Sequence, residues 1–172
     1  MVPQYQFPLS GKAGLPGADL IPMPLVDQPF QRVGIDIVGP LLKSAGEHSH
    51  ILVIIDYATR YSEAIPLRST TAKVLARELM HVFSWLGFPK EVLTDQGTNF
   101  MSQTFKDMWR LLEVKPVHIS VYHPQMNGLV ERFNKTLKSI LRKLVMEKPR
   151  RWYLLAAPLM FAIQEVPQAS ST

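Results

Sequence analysis

Three carboxylates carry the chemistry this sequence offers. Asp36 lies inside the apolar run Val33-Gly-Ile-Asp-Ile-Val38, Asp95 closes the run Val92-Leu-Thr-Asp95 ahead of a glycine turn, and Glu131 stands in Gly128-Leu-Val-Glu-Arg-Phe133. A charge between apolar strand neighbours is costly unless it is paired or binds a cation. Taken singly, each acid has an ordinary explanation. Asp36 could be a satisfied structural carboxylate, Asp95 could be turn chemistry before Gly97, and Glu131 could serve the first turn of a helix. Gathered in one place, the three would repel one another unless cations neutralised them. Hard oxygen ligands without thiolates suit Mg²⁺ or Mn²⁺. Two such ions about 4 Å apart can activate a nucleophile and stabilise a leaving oxygen in phosphoryl transfer. Asp56 is the rival member, because it too ends an apolar run. Its place before Tyr57-Ala-Thr-Arg60 reads better as a turn acid.

The elements that must position these acids can be read from pattern and punctuation. Arg32 to Val38 is a short apolar run closed by Gly39-Pro40, hence a buried strand. His50 to Ile55 is β-branched and apolar on both faces, which predicts a central strand. Arg60 to Pro66 alternates enough to form a third strand, with Tyr61, Ala64 and Ile65 inward and Ser62 and Glu63 more exposed. Thr70 or Thr71 caps a helix that runs to about Leu86, where Gly87 and Pro89 stop it. Glu91 to Thr94 is a fourth strand, Gln103 to Val114 a second helix and Pro116 to Ser120 a fifth strand. Leu129 to about Glu147 is the longest helix. Trp152 to Ile163 forms the last, bent or begun anew near Pro158. Trp85, Trp109 and Trp152 are expected to be core or helix-packing residues. Three meandering strands and then alternating helices and strands predict an α/β domain with a mixed five-stranded sheet flanked by helices, the ribonuclease-H-like arrangement.

Residues 1–29 hold six of the fourteen prolines and three glycines with few charges, and read as an extended arm or linker. Residues 30–169 form the expected core and 170–172 a short tail. With 47% hydrophobic residues, the chain can bury a sizeable core. The absence of cysteine excludes disulfides and any zinc site that needs a thiolate. His118 and His123 sit at no zinc-ligand spacing and read as core or surface histidines. No apolar run approaches the roughly 20 residues that span a bilayer, so no membrane association is expected. No secretory signal pattern opens the chain, which predicts an intracellular location.

Nineteen basic against fourteen acidic residues give a formal charge of +5 and favour an acidic partner such as nucleic acid. The long helix sharpens this expectation. Glu131, Lys135, Lys138 and Arg142 are spaced i, i+4, i+7 and i+11 and share a face, opposite the stripe Val130, Phe133, Leu137, Ile140, Leu141 and Leu144. A basic row beside an acid of the cluster would hold phosphates at a metal site; the plain alternative is a solvated helix face. Tyr122, Gln125 and Asn127 precede the helix in a polar loop and could contact DNA, with turn chemistry around Pro124 and Gly128 as the alternative. Asn99 could orient substrate or water.

With these residues in hand, the chain resembles the catalytic core of retroviral and retrotransposon integrases, particularly the Ty3/gypsy type. The matching pieces are Gly34-Ile-Asp-Ile-Val-Gly-Pro40, Val53-Ile-Ile-Asp-Tyr-Ala-Thr-Arg60, Leu93-Thr-Asp-Gln-Gly-Thr-Asn-Phe100 and Tyr122-His-Pro-Gln-Met-Asn-Gly-Leu-Val-Glu-Arg-Phe-Asn134. Between Asp95 and Glu131 lie 35 residues, the spacing of that family's D-D-E pattern. The resemblance implies that Asp36, Asp95 and Glu131 are the metal-binding and catalytic carboxylates. It implies two Mg²⁺ or Mn²⁺ ions, DNA 3′-end processing and strand transfer, element-end DNA and target DNA as partners, a homo-oligomeric working form and a nuclear site of action. Met126 stands where the family carries threonine or a similar polar residue. The family's His/Cys zinc domain cannot be formed here without cysteine, and its C-terminal DNA- or chromatin-binding region is not expected within a sequence that stops at Thr172. The expectation is therefore a core fragment, a truncated copy or a domesticated host relative. A non-catalytic DNA-binding or oligomerisation module is the alternative of a different class.

Overall fold

A computed structural model describes residues 28–95, 98–118 and 128–165. Within them the order is β1 (Arg32–Val38), β2 (His50–Asp56), β3 (Ser62–Leu67), α1 (Ala72–Leu86), β4 (Glu91–Thr94), a 3-10 turn at Thr98–Met101, α2 (Gln103–Leu111), β5 (Lys115–His118), α3 (Gly128–Glu147) and α4 (Trp152–Glu165). The sheet runs β3-β2-β1-β4-β5. β1 pairs antiparallel with β2 and parallel with β4. β2 pairs antiparallel with β3, and β4 pairs parallel with β5. This is the mixed five-stranded sheet that the order of elements predicts.

Side-chain alternation divides the core into two layers. Val33, Ile35, Leu52, Ile54, Leu67 and Val92 pack with Leu75, Leu79, Val82 and Phe83 of α1 and Phe105 and Trp109 of α2. Val38, Ile51, Val53, Ile55 and Ala64 pack with Phe133, Leu137, Leu141 and Val145 of α3 and Trp152, Ala156 and Met160 of α4. β1 therefore turns its odd positions to α1 and α2. Its even positions Gly34, Asp36 and Val38 face the other layer. Gly34 lets Tyr57 pack close, because a Cβ at this position would lie 3.0 Å from its ring and the ring would have to shift.

Several local expectations are corrected. Ser62 is 2% exposed, because it shares the Ala64 face and α4 covers it; Gln164 Nε2 donates to the Ser62 carbonyl at 2.7 Å. Thr71 stands at the N-cap of α1 but makes no side-chain cap bond. α2 stops at Leu111, short of Val114, because Glu113 takes a left-handed φ of 55° that turns the chain into β5. Its N-terminus is capped by Ser102, which accepts from the Phe105 amide. α4 neither ends nor restarts at Pro158. That proline is on the exposed side of the helix, where the carbonyl it leaves unbonded can be hydrated. Trp85 is 59% exposed, while Trp109 and Trp152 are buried, the latter donating to the Leu42 carbonyl. Among the described residues no helix is long and apolar enough to cross a membrane.

Candidate active site

The parallel strands β1, β4 and β5 have two distinct ends. At their starts, Arg32, Glu91 and Lys115 stand side by side in register. Arg32 is buried and donates to Glu91 from both Nε and Nη2 at 2.7 Å, and Lys115 approaches the other carboxylate oxygen at 3.7 Å. This end is closed by a three-strand ion network. The opposite end is the one at which such sheets tend to place ligands, and it carries the two aspartates. The β1–β4 ladder reaches Ile35 opposite Thr94. One residue farther along each chain stand Asp36 and Asp95, so neighbouring strands deliver two of the three acids to adjacent positions.

Asp36 points into the α3–α4 layer. Its Oδ1 accepts from the Ile37 amide at 2.8 Å, and its Oδ2 pairs with the Lys138 ammonium. The two side chains retain 20% and 25% of their exposure. Asp95 is exposed beyond the end of β4. Beside it Thr94 is buried, with its Oγ1 3.5 Å from His118 Nδ1 on β5. His118 itself is exposed.

α3 brings the third acid toward the same layer. Phe133, Leu137, Leu141 and Val145 bury its apolar stripe, and Lys138 is the point where its other flank meets β1. Glu131 lies seven residues before Lys138, about 10 Å along the axis and on the same helical face. Its backbone belongs to α3; its side chain lies outside the described ones. Among the described residues no three His, Asp or Glu side chains form a ready metal cage. The cation that meets Asp36 in this structure is the Lys138 ammonium. Two hard-oxygen carboxylates at adjacent strand ends, one of them already drawing a cation, are a donor set that fits a divalent ion.

The remaining predicted contacts divide. Lys135 and Arg142 are exposed on α3, with Arg132 and Lys143 beside them and Lys148, Arg150 and Arg151 exposed in and near the α3–α4 turn. Lys138 departs from the expected row of phosphate contacts, since it turns inward to Asp36. Asn99 is partly buried in the 3-10 turn after Asp95. Tyr122, Gln125 and Asn127 lie outside the described residues. Asp56 is excluded from the cluster by its own loop: it is 1% exposed and accepts from the amides of Phe30, Ala58 and Thr59 and from the Thr59 hydroxyl. The role of Lys138 as a partner of Asp36 is not legible in the sequence, although its i+7 spacing from Glu131 places it on the right face.

The family model described as the integrase core domain matches residues 26–124. This chain belongs to the integrase core domain family. The match includes Asp36 and Asp95 and ends before Glu131. The chain is 33% identical over 144 residues to the Pro-Pol polyprotein of feline foamy virus, covering 84% of this chain and 12% of that one. It is 30% identical over 135 residues to the retrovirus-related Pol polyprotein from transposon 412 of Drosophila melanogaster, covering 76% and 11%. The chain thus spans only about an eighth of the curated relatives it matches. A simian T-cell lymphotropic virus intasome, solved in complex with the PP2A regulatory subunit B56 gamma, contains a chain of the same fold. There the TM-score is 0.65 at 22% identity, covering 91% of this chain and 56% of that one.

Proposed function

We propose that this chain is the polynucleotidyl transferase core of a DNA-integrating element, acting on element-end DNA and target DNA as a homo-oligomer in the nucleus. The observation that carries the reading is the delivery of Asp36 and Asp95 to adjacent ends of parallel strands, with the Glu131 helix packed over the same face. Asp36, Asp95 and Glu131 would together hold two Mg²⁺ or Mn²⁺ ions. When bound, such ions lower the pKa of an attacking hydroxyl and neutralise charge at the phosphoryl group.

The chain's own residues do the rest. Lys135 and Arg142 hold DNA phosphates along α3 and fix the register of the backbone. Asn99 orients substrate near Asp95. Tyr122, Gln125 and Asn127 grip the element end. In end processing a water oxygen attacks phosphorus and the P–O3′ bond breaks; in strand transfer the DNA 3′-hydroxyl attacks instead and the same type of bond breaks in the target. Neither step needs a covalent enzyme intermediate, which suits a chain without cysteine.

The test is cleavage and strand rejoining on a branched DNA substrate in Mn²⁺ by the purified chain. Activity in the wild type and its loss in Asp95→Asn, with the fold retained by circular dichroism, is the expected result. Undiminished activity in Asp95→Asn would refute the assignment. A second reading, a non-catalytic DNA-binding or oligomerisation module, draws support from the lysine that occupies Asp36. Thermal stabilisation by millimolar Mn²⁺ favours the enzyme, and its absence favours the module.

A further inference from the structure

We propose that Lys138 is an exchangeable counter-cation for Asp36: it holds the carboxylate until a divalent ion displaces it, and so sets the affinity of the site for metal. The inference rests on the reading of Asp36 as a metal ligand. Three observations carry it. First, Asp36 is pinned on one oxygen only, by the amide of its neighbour Ile37, and its other oxygen goes to the ammonium. A carboxylate can accept about four hydrogen bonds, so this one keeps lone pairs through which a divalent ion can approach before the ammonium leaves.

Second, among the described side chains of its own helix nothing holds Lys138. The residues three and four away are Lys135, Asn134, Leu141 and Arg142, none of them acidic. The two acids of α3 are Glu131 and Glu147, and Glu147 pairs with Lys143. Lys138 therefore sits in a basic run and is drawn out of it by Asp36. Third, the pair is made with lysine and keeps access to solvent on both sides. An ammonium on a four-carbon stem is a mobile point charge, unlike the planar fork with which Arg32 holds Glu91 at the closed end of the same strands.

A divalent ion that enters beside Asp36 meets this ammonium as a like charge, and the two compete for one carboxylate. Metal loading then includes the cost of expelling Lys138, and the expelled ammonium is left among the phosphate-binding cations of α3. The two events share one coupling free energy, so they are reciprocal.

The experiment is a MnCl₂ titration of the full chain, read by calorimetry and by thermal unfolding, in wild type, Lys138→Gln, Lys138→Arg and Asp36→Asn. Removing the ammonium in Lys138→Gln is expected to tighten Mn²⁺ binding roughly fivefold or more, the scale of a partly exposed ion pair. Lys138→Arg keeps the charge and leaves binding equal to wild type or weaker. Asp36→Asn loses Mn²⁺ binding. Unchanged or weaker binding in Lys138→Gln, with Asp36→Asn still abolishing it, overturns the counter-ion and leaves the metal site standing. Should Lys138→Gln fail to fold, tightened binding in Lys138→Arg overturns the proposal by itself. Mn²⁺ binding that survives Asp36→Asn, or is absent from the wild type, overturns the metal-site reading and the counter-ion together.

Discussion

Asp36 and Asp56 sit on neighbouring antiparallel strands, both among apolar residues, and they meet opposite fates. Asp56 is sealed at 1% exposure and takes four hydrogen bonds from Phe30, Ala58 and Thr59. Its charge is spent on fixing the turn from β2 to β3 and the entry to β1. Asp36 receives a single amide and one ammonium. The difference lies in the backbone on the C-terminal side of each acid. Asp56 is succeeded by a tight loop whose amides fold back on it. Asp36 lies one residue beyond the β1–β4 ladder, and among the described residues the Ile37 amide is the one backbone donor that reaches its carboxylate, so lone pairs are left for a cation. A carboxylate serves structure when its own loop satisfies it, and chemistry when the fold satisfies everything around it instead.

That contrast can be broken by substitution. Asp36→Asn and Asp95→Asn should each lower DNA strand-transfer activity about a thousandfold or more, the scale of losing a metal ligand worth several kcal/mol. Their unfolding midpoints should stay near the wild-type value. Asp56→Ala should do the reverse, costing about 3 kcal/mol in denaturant unfolding because buried amides lose their acceptor, with activity per folded molecule retained. At the closed end of the parallel strands, Glu91→Gln should cost about 2 kcal/mol by the same assay, since Arg32 is left buried and half-paired. Smaller effects are expected on the helix. Lys135→Ala and Arg142→Ala should each reduce the slope of log affinity for duplex DNA against log salt by about 1, without a change in stability.

The smallest effect concerns pH. Burial first, and the nearby Arg68 second, hold the His48 imidazole below its ordinary range, where it stacks on Tyr153 at 4.8 Å. A histidine whose folded pKa is lowered binds fewer protons folded than unfolded. Stability is then full above the ordinary pKa of about 6.5 and falls as pH drops below it. Thermal unfolding across that window should flatten in His48→Gln.

The parts legible in the sequence were those written locally. β1 and β4 were bounded by apolar runs ending in Gly-Pro or in Asp before a glycine turn, and α3 by a stripe at helical spacing, so the strands and helix that carry the three acids could be placed. Asp56 was separable from the cluster because its loop chemistry is contiguous in sequence. What stayed hidden depends on partners from elsewhere. Ser62 is buried because α4 covers its face of β3, where Gln164 also donates to its carbonyl. Trp85 is exposed because the apolar stripe of α1 turns Val82 and Phe83 inward and leaves it outside. Lys138 shares a face with Lys135 by spacing alone; that its ammonium goes to Asp36 depends on how closely α3 packs across β1.

Glu131 offers the most direct test of a three-carboxylate site, because Asp36 and Asp95 are joined by the sheet while the third acid arrives on a helix. The measurement is the Mn²⁺-dependent rejoining rate on branched DNA for Glu131→Gln against wild type, at matched unfolding midpoints. The expected result is a loss of at least about a thousandfold. A rate within a few-fold of wild type in the folded variant would contradict a three-carboxylate transferase.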